Sequence, residues 1–161
     1  MGEVQVRGPN IMLGYWNQPE VTKVALRGGW YHSGDGGVMD DDGYVYIVDR
    51  LKDMIISGGE NIYSAEVESA ISTLDGVAEV AVIGIPDERW GEAVHAVVVL
   101  RAGRTITAEQ VIEHSRGLIA HYKCPRRVEI RETSLPLSGA GKVLKSQLRE
   151  PFWAGRDKRV S

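Results

Sequence analysis

Along the first fifty positions, apolar and polar residues alternate in short runs. Val4-Gln5-Val6-Arg7, Trp30-Tyr31-His32 and Tyr44-Val45-Tyr46-Ile47-Val48 show the period of two that sends successive side chains to opposite faces of a strand. Gly34-Asp35-Gly36-Gly37 and Asp40-Asp41-Asp42-Gly43 separate these runs, and the Asp-Asp-Gly step predicts a hairpin turn. A short helix is predicted over residues 20–26, because Pro19 suits a first helical turn. After residue 50 the period changes. Residues 52–57 read as a strand, and 64–74 as an amphipathic helix with Val67, Ala70, Ile71 and Leu74 on one face. Residues 77–85 and 93–100 read as strands. Thr107-Ala108-Glu109-Gln110 carries the capping-box pattern that starts a helix running towards Ile119. A last strand covers 127–131, followed by a Pro/Gly loop and a short helix ending before Pro151. This order predicts an α+β chain in two units, one β-rich and one of alternating helix and strand, joined near residues 50–53.

Composition narrows the function classes. The 161 residues are 43% hydrophobic and 25% charged, with a net charge of −3 and both signs interspersed. No helix or groove lined with Lys and Arg speaks for nucleic acid. The single cysteine, Cys124, rules out an internal disulfide, and no apolar run approaches the roughly 18 residues of a membrane span. The expectation is a cytoplasmic protein. Met1-Gly2-Glu3 leads directly into an alternating run with no charged-then-apolar leader, and a start in mid-strand leads to the expectation of a fragment. Glycine, 19 of 161 residues, stands well above its usual share of about 7%.

Four segments carry candidate chemistry. In His32-Ser33-Gly34-Asp35-Gly36-Gly37, glycines let a ligand approach the backbone, and a carboxylate offers two acceptors to two neighbouring hydroxyls such as those of a ribose. A plain turn aspartate is the other reading. Asp49-Arg50-Leu51-Lys52-Asp53 places two cations and two anions at the unit junction, either as an ion-paired turn or with the Arg50 fork presented to ribose or phosphate oxygens. In Ile56-Ser57-Gly58-Gly59-Glu60, a glycine pair inside an extended segment calls for a bulge or for another chain passing close by, such as a narrow substrate arm. Lys142 follows Ser138-Gly139-Ala140-Gly141, where a mobile loop can carry positive charge to a phosphoryl group; a solvated turn lysine is the alternative. It is not a Walker A loop, because Pro136 and Val143 stand where that pattern needs Gly and Ser or Thr. His32, His95, His114 and His121 lack zinc-ligand spacing with Cys124, and read as satisfied or surface histidines.

Taken together, Gly14-Tyr15-Trp16, Gly29-Trp30-Tyr31-His32-Ser33-Gly34-Asp35, residues 49–62, Pro86-Asp87-Glu88-Arg89-Trp90-Gly91-Glu92 and Gly141-Lys142-Val143 resemble the adenylate-forming superfamily. The Ile-Ser-Gly-Gly-Glu-Asn-Ile stretch is most similar to the fatty-acid and aryl-acid coenzyme A ligases. The resemblance implies a small mobile C-terminal domain with a mainly antiparallel sheet flanked by helices over residues 54–161, a hinge at 50–53, and the last β-rich piece of a large N-terminal domain at 1–49. It implies that Asp35, Arg50, Trp30 and Lys142 handle ATP, with Lys142 catalytic in adenylation and Lys52 the hinge. Ser57, Gly58 and Gly59 would line the pantetheine arm of coenzyme A, with Trp90, Tyr122 and Lys123 at its adenine and phosphates. Tyr122 and Cys124 depart from a more usual pattern of Phe and a basic residue. The implied enzyme is an AMP-forming fatty acyl-CoA synthetase using ATP, coenzyme A and Mg2+, the metal and the acyl pocket belonging to the N-terminal domain, so the isolated chain is expected to be inactive. A relative that passes the acyl group to a carrier protein is one alternative, and a non-catalytic nucleotide or coenzyme A binding module another. Ile56 stands where luciferases carry lysine, against an oxidative role. The tail from Pro151 to Arg159 combines aromatics with positive charge, which fits peripheral membrane contact, contact with the N-terminal domain, or a disordered terminus.

Overall fold

The computed structural model describes residues 1–155. The chain divides into two compact units, Met1–Lys52 and a second beginning at Asp53.

In the first unit, β1 (Gly2–Val6), β2 (Tyr31–Met39) and β3 (Val45–Arg50) form an antiparallel sheet in the order β1-β2-β3. Helix α1 (Pro19–Ala25) lies between β1 and β2 in sequence, with Pro19 in its first turn. The predicted hairpin turn is present, with Asp40 Oδ1 accepting from the backbone N–H groups of Asp42 and Tyr44 at 3.1 and 2.8 Å. One expectation is corrected. Gly34-Asp35-Gly36-Gly37 does not separate two strands but lies within β2, where Gly37 pairs with Gly2 of β1 and with Ile47 of β3. A Cβ on Gly37 would sit 2.9 Å from Val4 Cγ2 and 3.0 Å from the Tyr46 carbonyl oxygen, so this glycine serves strand packing. Four consecutive residues of the turn and β3, Tyr44 to Ile47, are each more than half exposed, so this sheet buries little apolar surface of its own.

The second unit is built on a five-stranded sheet. β4 (Ile55–Ser57), β5 (Glu60–Ile62), β6 (Val77–Asp87) and β7 (Gly91–Leu100) run in the order β5-β4-β7-β6, all antiparallel, and β8 (Arg127–Arg131) pairs parallel to β7. β4 and β8 take successive stretches of β7, at Gly91 and at residues 95–99. Strand alternation then sorts the core. Val82, Val94, Ala96 and Val98 face one way and pack with Val67 and Ile71 of α2 (Ser64–Ser72) and Val111 of α3 (Ala108–Arg116). Ala81, Ile83, Ile85, Ala93, Val97 and Val99 face the other way and pack with Leu135 and with Leu148 of α4 (Lys145–Trp153). The capping box of α3 is formed in both directions between Thr107 and Gln110.

Three further expectations change. The predicted strand at 52–57 begins with a 3-10 turn, Leu51–Asp53, and only Ile55–Ser57 is strand. The Gly58-Gly59 pair is not a bulge but the two-residue turn of the β4–β5 hairpin, with φ of 62° and 86°, the left-handed conformations this turn demands. Helix α4 runs through Pro151 to Trp153. Tertiary anchors override the proline: Trp153 Nε1 donates to the Gly84 carbonyl at 3.0 Å, and Phe152 packs 5.1 Å from the His95 ring. The aromatic half of the proposed membrane-contacting tail is thus turned onto its own sheet, while residues 156–159 lie outside the described residues. Among the described residues, no helix is long and apolar enough to cross a membrane.

His95 also departs from expectation. It is 5% exposed, neither ring nitrogen has a hydrogen-bond partner among the described residues, and Glu129 Oε2 lies 3.7 Å from Nε2, too long for a hydrogen bond. Burial pushes its pKa below the ordinary 6.5, outweighing the Glu129 carboxylate, with Arg127 adding to the depression. The sign follows from linkage. The folded state holds His95 neutral while the unfolded state protonates it near 6.5, so its contribution is complete above that value and is lost as pH falls below it. Thermal stability of the chain is therefore expected to fall between pH 7 and pH 5.5, and to fall less in a His95→Met variant. Parallel melting curves at both pH values decide it; equal drops in the two proteins would place the pH dependence elsewhere.

Candidate functional site

Asp35 lies on β2 directly opposite Arg50, the last residue of β3. Opposed residues of an antiparallel pair share a face, and Arg50 Nε approaches Asp35 Oδ1 to 3.5 Å. Asp35 keeps 31% of its side chain exposed and Arg50 52%, which leaves a carboxylate and a guanidinium fork open side by side. Tyr31 lies near both groups, and its phenol is pushed above its ordinary pKa first by a hydrogen bond with the Tyr15 hydroxyl. Trp30 immediately precedes β2, with the Arg7 guanidinium 4.5 Å over its ring.

A second layer that sequence reasoning missed holds Asp35 in place. Glu3 Oε2 contacts His32 Nδ1 at 2.6 Å and accepts from Arg27 at 3.3 Å, while Glu3 Oε1 accepts from the Gly34 N–H at 3.2 Å. The His32 hydrogen bond is the main cause that holds the Glu3 carboxyl below its ordinary range. Ser33 Oγ donates to the Val4 carbonyl and accepts from the Asp35 N–H. Glu3 takes an ordinary polar position of the alternating opening strand, so the sequence carried no local signal for this role, which appears only once β1 pairs with β2.

Lys142 sits in the second unit, and its segment is more ordered than a mobile loop. Leu137 and Val143 form an antiparallel bridge, Ser138 N–H donates to the Lys142 carbonyl at 2.8 Å, and Leu144 N–H donates to the Pro136 carbonyl at 2.8 Å. The result is a short hairpin with Lys142 exposed near its tip. Leu135 and Val143 seat the hairpin on the α4 face of the sheet.

The Ser57-Gly58-Gly59 turn lies at the β4 end of the same sheet. Ser57 is buried, and the Gly58 N–H donates to the Trp90 carbonyl at 2.8 Å. A Cβ on Gly58 would meet the Trp90 ring at 2.6 Å, so the chain passing close to this glycine is its own tryptophan. Arg89 and Arg126 both place guanidinium groups over the Trp90 ring, 4.7 and 4.8 Å from its centroid. Lys123 lies 5.8 Å from the Tyr122 ring, but its ammonium is held by both Glu66 oxygens of α2 at 2.7 and 2.8 Å, which raises its pKa. Its charge is already matched. Arg89 and Arg126, not singled out from the sequence, are the open cations here, and only the folded approach of β8 and the β6–β7 loop to one ring reveals them. Tyr122 and Lys123 are reached through α2, on the sheet face opposite that of the Lys142 hairpin. Cys124 is buried against the Ile119 and Ala120 carbonyls, and burial pushes its thiol up, away from nucleophilic use. Among the described residues no group of three or more His, Cys, Asp or Glu could hold a metal.

Residues 66–142 match the family model for the AMP-binding enzyme C-terminal domain. The chain is 52% identical over 151 residues to a feruloyl-CoA synthase of an Amycolatopsis species, covering 94% of this chain and 30% of that protein. The chain belongs to the adenylate-forming superfamily. Within the superfamily it is 48% identical to the long-chain-fatty-acid–CoA ligase FadD13 of Mycobacterium tuberculosis, over 95% of this chain and 30% of that one. The ATP-bound crystal structure of MatB from Rhodopseudomonas palustris superimposes with a TM-score of 0.85 at 43% identity, over 97% of this chain and 31% of that one. The α+β architecture is that of the C-terminal portion of these adenylate-forming enzymes. The chain spans about 30% of the length of the curated relatives it matches.

Proposed function

We propose that this chain is the C-terminal portion of an ATP-dependent, AMP-forming acid–coenzyme A ligase. Residues 1–49 would complete the N-terminal domain, 50–53 form the hinge, and 54–161 form the mobile domain. The observation that carries the reading is that the chain holds both an open Asp35–Arg50 face in one unit and, in a second unit matched to the AMP-binding enzyme C-terminal domain, a hairpin-borne lysine, Lys142. Two acceptors and a fork suit ribose hydroxyls and their neighbouring oxygens. Lys142 places a point charge where negative charge builds on the α-phosphate.

The chemistry has two steps. A carboxylate oxygen attacks the α-phosphorus, the bond to the β-phosphate bridging oxygen breaks, and pyrophosphate leaves. The thiol sulfur then attacks the acyl carbon, its proton passes to solvent, and the carbon–oxygen bond breaks to release AMP. Magnesium, held upstream of this chain by the resemblance, would shield pyrophosphate; the described residues offer no ligand set for it, and no step here is assigned to it. A fatty acid is the proposed substrate class, on the likeness to the fatty-acid ligase FadD13, with aryl acids such as those of the feruloyl relative, whose ligases residues 56–62 resemble equally, as the competing outcome. The complete protein, supplied with MgATP, coenzyme A and a panel of fatty and aryl acids, is expected to release pyrophosphate only with an acid and to form the thioester. Acid-independent ATP hydrolysis, or no turnover on any acid, would overturn the reading. The 161-residue chain alone is expected to form no acyl-CoA, and to bind ATP and coenzyme A weakly by calorimetry; tight binding would favour a stand-alone binding module.

The acceptor is proposed to be free coenzyme A rather than a carrier-protein arm. A carrier arm lacks the nucleotide for which the stacked Arg89, Trp90 and Arg126 provide ring and charge. Arg126→Met in the complete protein is expected to raise the KM for coenzyme A about tenfold, the scale of one lost charged contact, with adenylation unchanged. The KM for pantetheine should not move; a parallel rise with both thiols would remove the assignment.

A further inference from the structure

The last residue of the proposed hinge is ion-paired to the helix that follows the lysine hairpin. Arg149 Nη2 donates to Asp53 Oδ1, and the two side chains are only 13% and 12% exposed. Asp53 opens the second unit, whereas Arg149 lies in the middle of α4. One turn earlier on the same face of α4, Lys145 Nζ meets Glu68 Oε1 at 2.6 Å and donates to Ser64 Oγ at 2.7 Å, both on α2. The Glu68 carboxylate also accepts from the Val82 N–H at 2.7 Å, on β6. Leu148 and Phe152, adjoining them along the same stripe of α4, pack into the sheet. Lys142 is separated from the start of α4 by Val143 and Leu144 alone, and both are held, Val143 by its bridge to Leu137 and Leu144 by its bond to Pro136. The other leg of the hairpin is anchored by Leu135, buried and donating its N–H to Glu79 at 3.0 Å.

We propose that Asp53 and Arg149 are positioning residues that reference the Lys142 hairpin to the hinge, so that rotation at residues 50–53 is delivered to the lysine without slack. Low exposure keeps the pair from the salt screening that weakens surface ion pairs, and its place at the end of the hinge couples the hinge directly to the helix that follows the Lys142 hairpin. Loss of the pair leaves the sheet and both cores intact while letting α4 and the hairpin shift against the hinge exit. A displacement of about an ångström at a reacting group costs about a hundredfold in rate. The half-reaction that needs Lys142 suffers, whereas the one that follows does not.

The inference rests on the ligase reading for its kinetic arm and on the fold alone for its structural arm. In the complete protein, Asp53→Asn and Arg149→Met are expected to slow single-turnover acyl-AMP formation about 10- to 100-fold. The KM values for acid and ATP, and the rate of thioester formation from supplied acyl-AMP, should stay within about twofold of wild type, a change too small for a lost charged contact. Arg149→Lys, which keeps the charge, should retain more of the adenylation rate than Arg149→Met. Equal losses in both half-reactions, no loss, or a lysine variant no better than methionine would overturn the proposal. In the 161-residue chain, hydrogen exchange at the Ser138 and Leu144 amides should quicken in Arg149→Met while the β6 and β7 amides keep wild-type protection. Unchanged hairpin exchange would overturn the coupling whatever the enzyme does. Absence of acyl-AMP formation by the wild-type protein would instead refute the ligase reading and leave the exchange result to decide the coupling.

Discussion

Replacing Lys142 with alanine is expected to slow acyl-AMP formation by the complete protein about 100- to 1,000-fold, the scale of one lost electrostatic contact to developing charge, while thioester formation from supplied acyl-AMP persists. The side chain is exposed, and the structure around it is held by backbone bonds from Ser138, Leu144 and Gly141 that need no lysine side chain. Folding stability should therefore change by less than about 0.5 kcal/mol, as for surface substitutions away from packed features. The lost rate then belongs to chemistry rather than to a damaged domain. Single-turnover assays of each half-reaction provide the check. The division of labour fails if both halves slow alike, or if the variant melts several degrees lower.

Truncating Ile71 to alanine should have the largest effect on stability. The side chain is fully buried, and it packs among Ile55, Ile62, Val67, Val82, Val98 and Val111 at the seam of α2, α3 and the sheet. Large-to-small changes at such sites cost about 2–5 kcal/mol through lost transfer energy and the cavity left behind. For a unit of roughly 100 residues, each kcal/mol lowers the melting temperature by about 4–8 °C. Leu118→Ala, at a side chain 55% exposed, is the control and should cost within about 0.5 kcal/mol. Urea unfolding of both variants, with unchanged slopes, measures the contrast. Comparable losses in the two would mean that α2 does not close this core.

Much of the local structure was legible because it is written in short-range periods. The face Val67, Ala70 and Ile71, the Thr107–Gln110 capping box and the turn at Asp40 to Gly43 all follow from residues within a few positions of one another, although α2 ends at Ser72, short of Leu74. The family resemblance was legible for a related reason, since ordered motifs survive as text without any folding. Misreadings fell where a local cue was outvoted. Glycines from 34 to 37 signalled a break, but neighbouring strands on both sides pulled the segment into β2. Pro151 signalled a helix end, but Phe152 and Trp153 gained partners on β6 and β7 that carried α4 past it.

Local pattern along the chain sets the alternation of elements, their amphipathic faces and the chemical character of Asp35, Arg50, Gly58-Gly59 and Lys142. Folding then chooses the partners of the charged groups. Asp53 and Arg149 stand 96 positions apart, Lys123 and Glu66 57, and Glu3 and Gly34 31. A contact of that span forms only after packing of the apolar faces has met the entropy of closing the loop between its ends. Local periodicity therefore specifies which face is buried, whereas the match of one buried charge to another is set by the sheet order that brings their elements together.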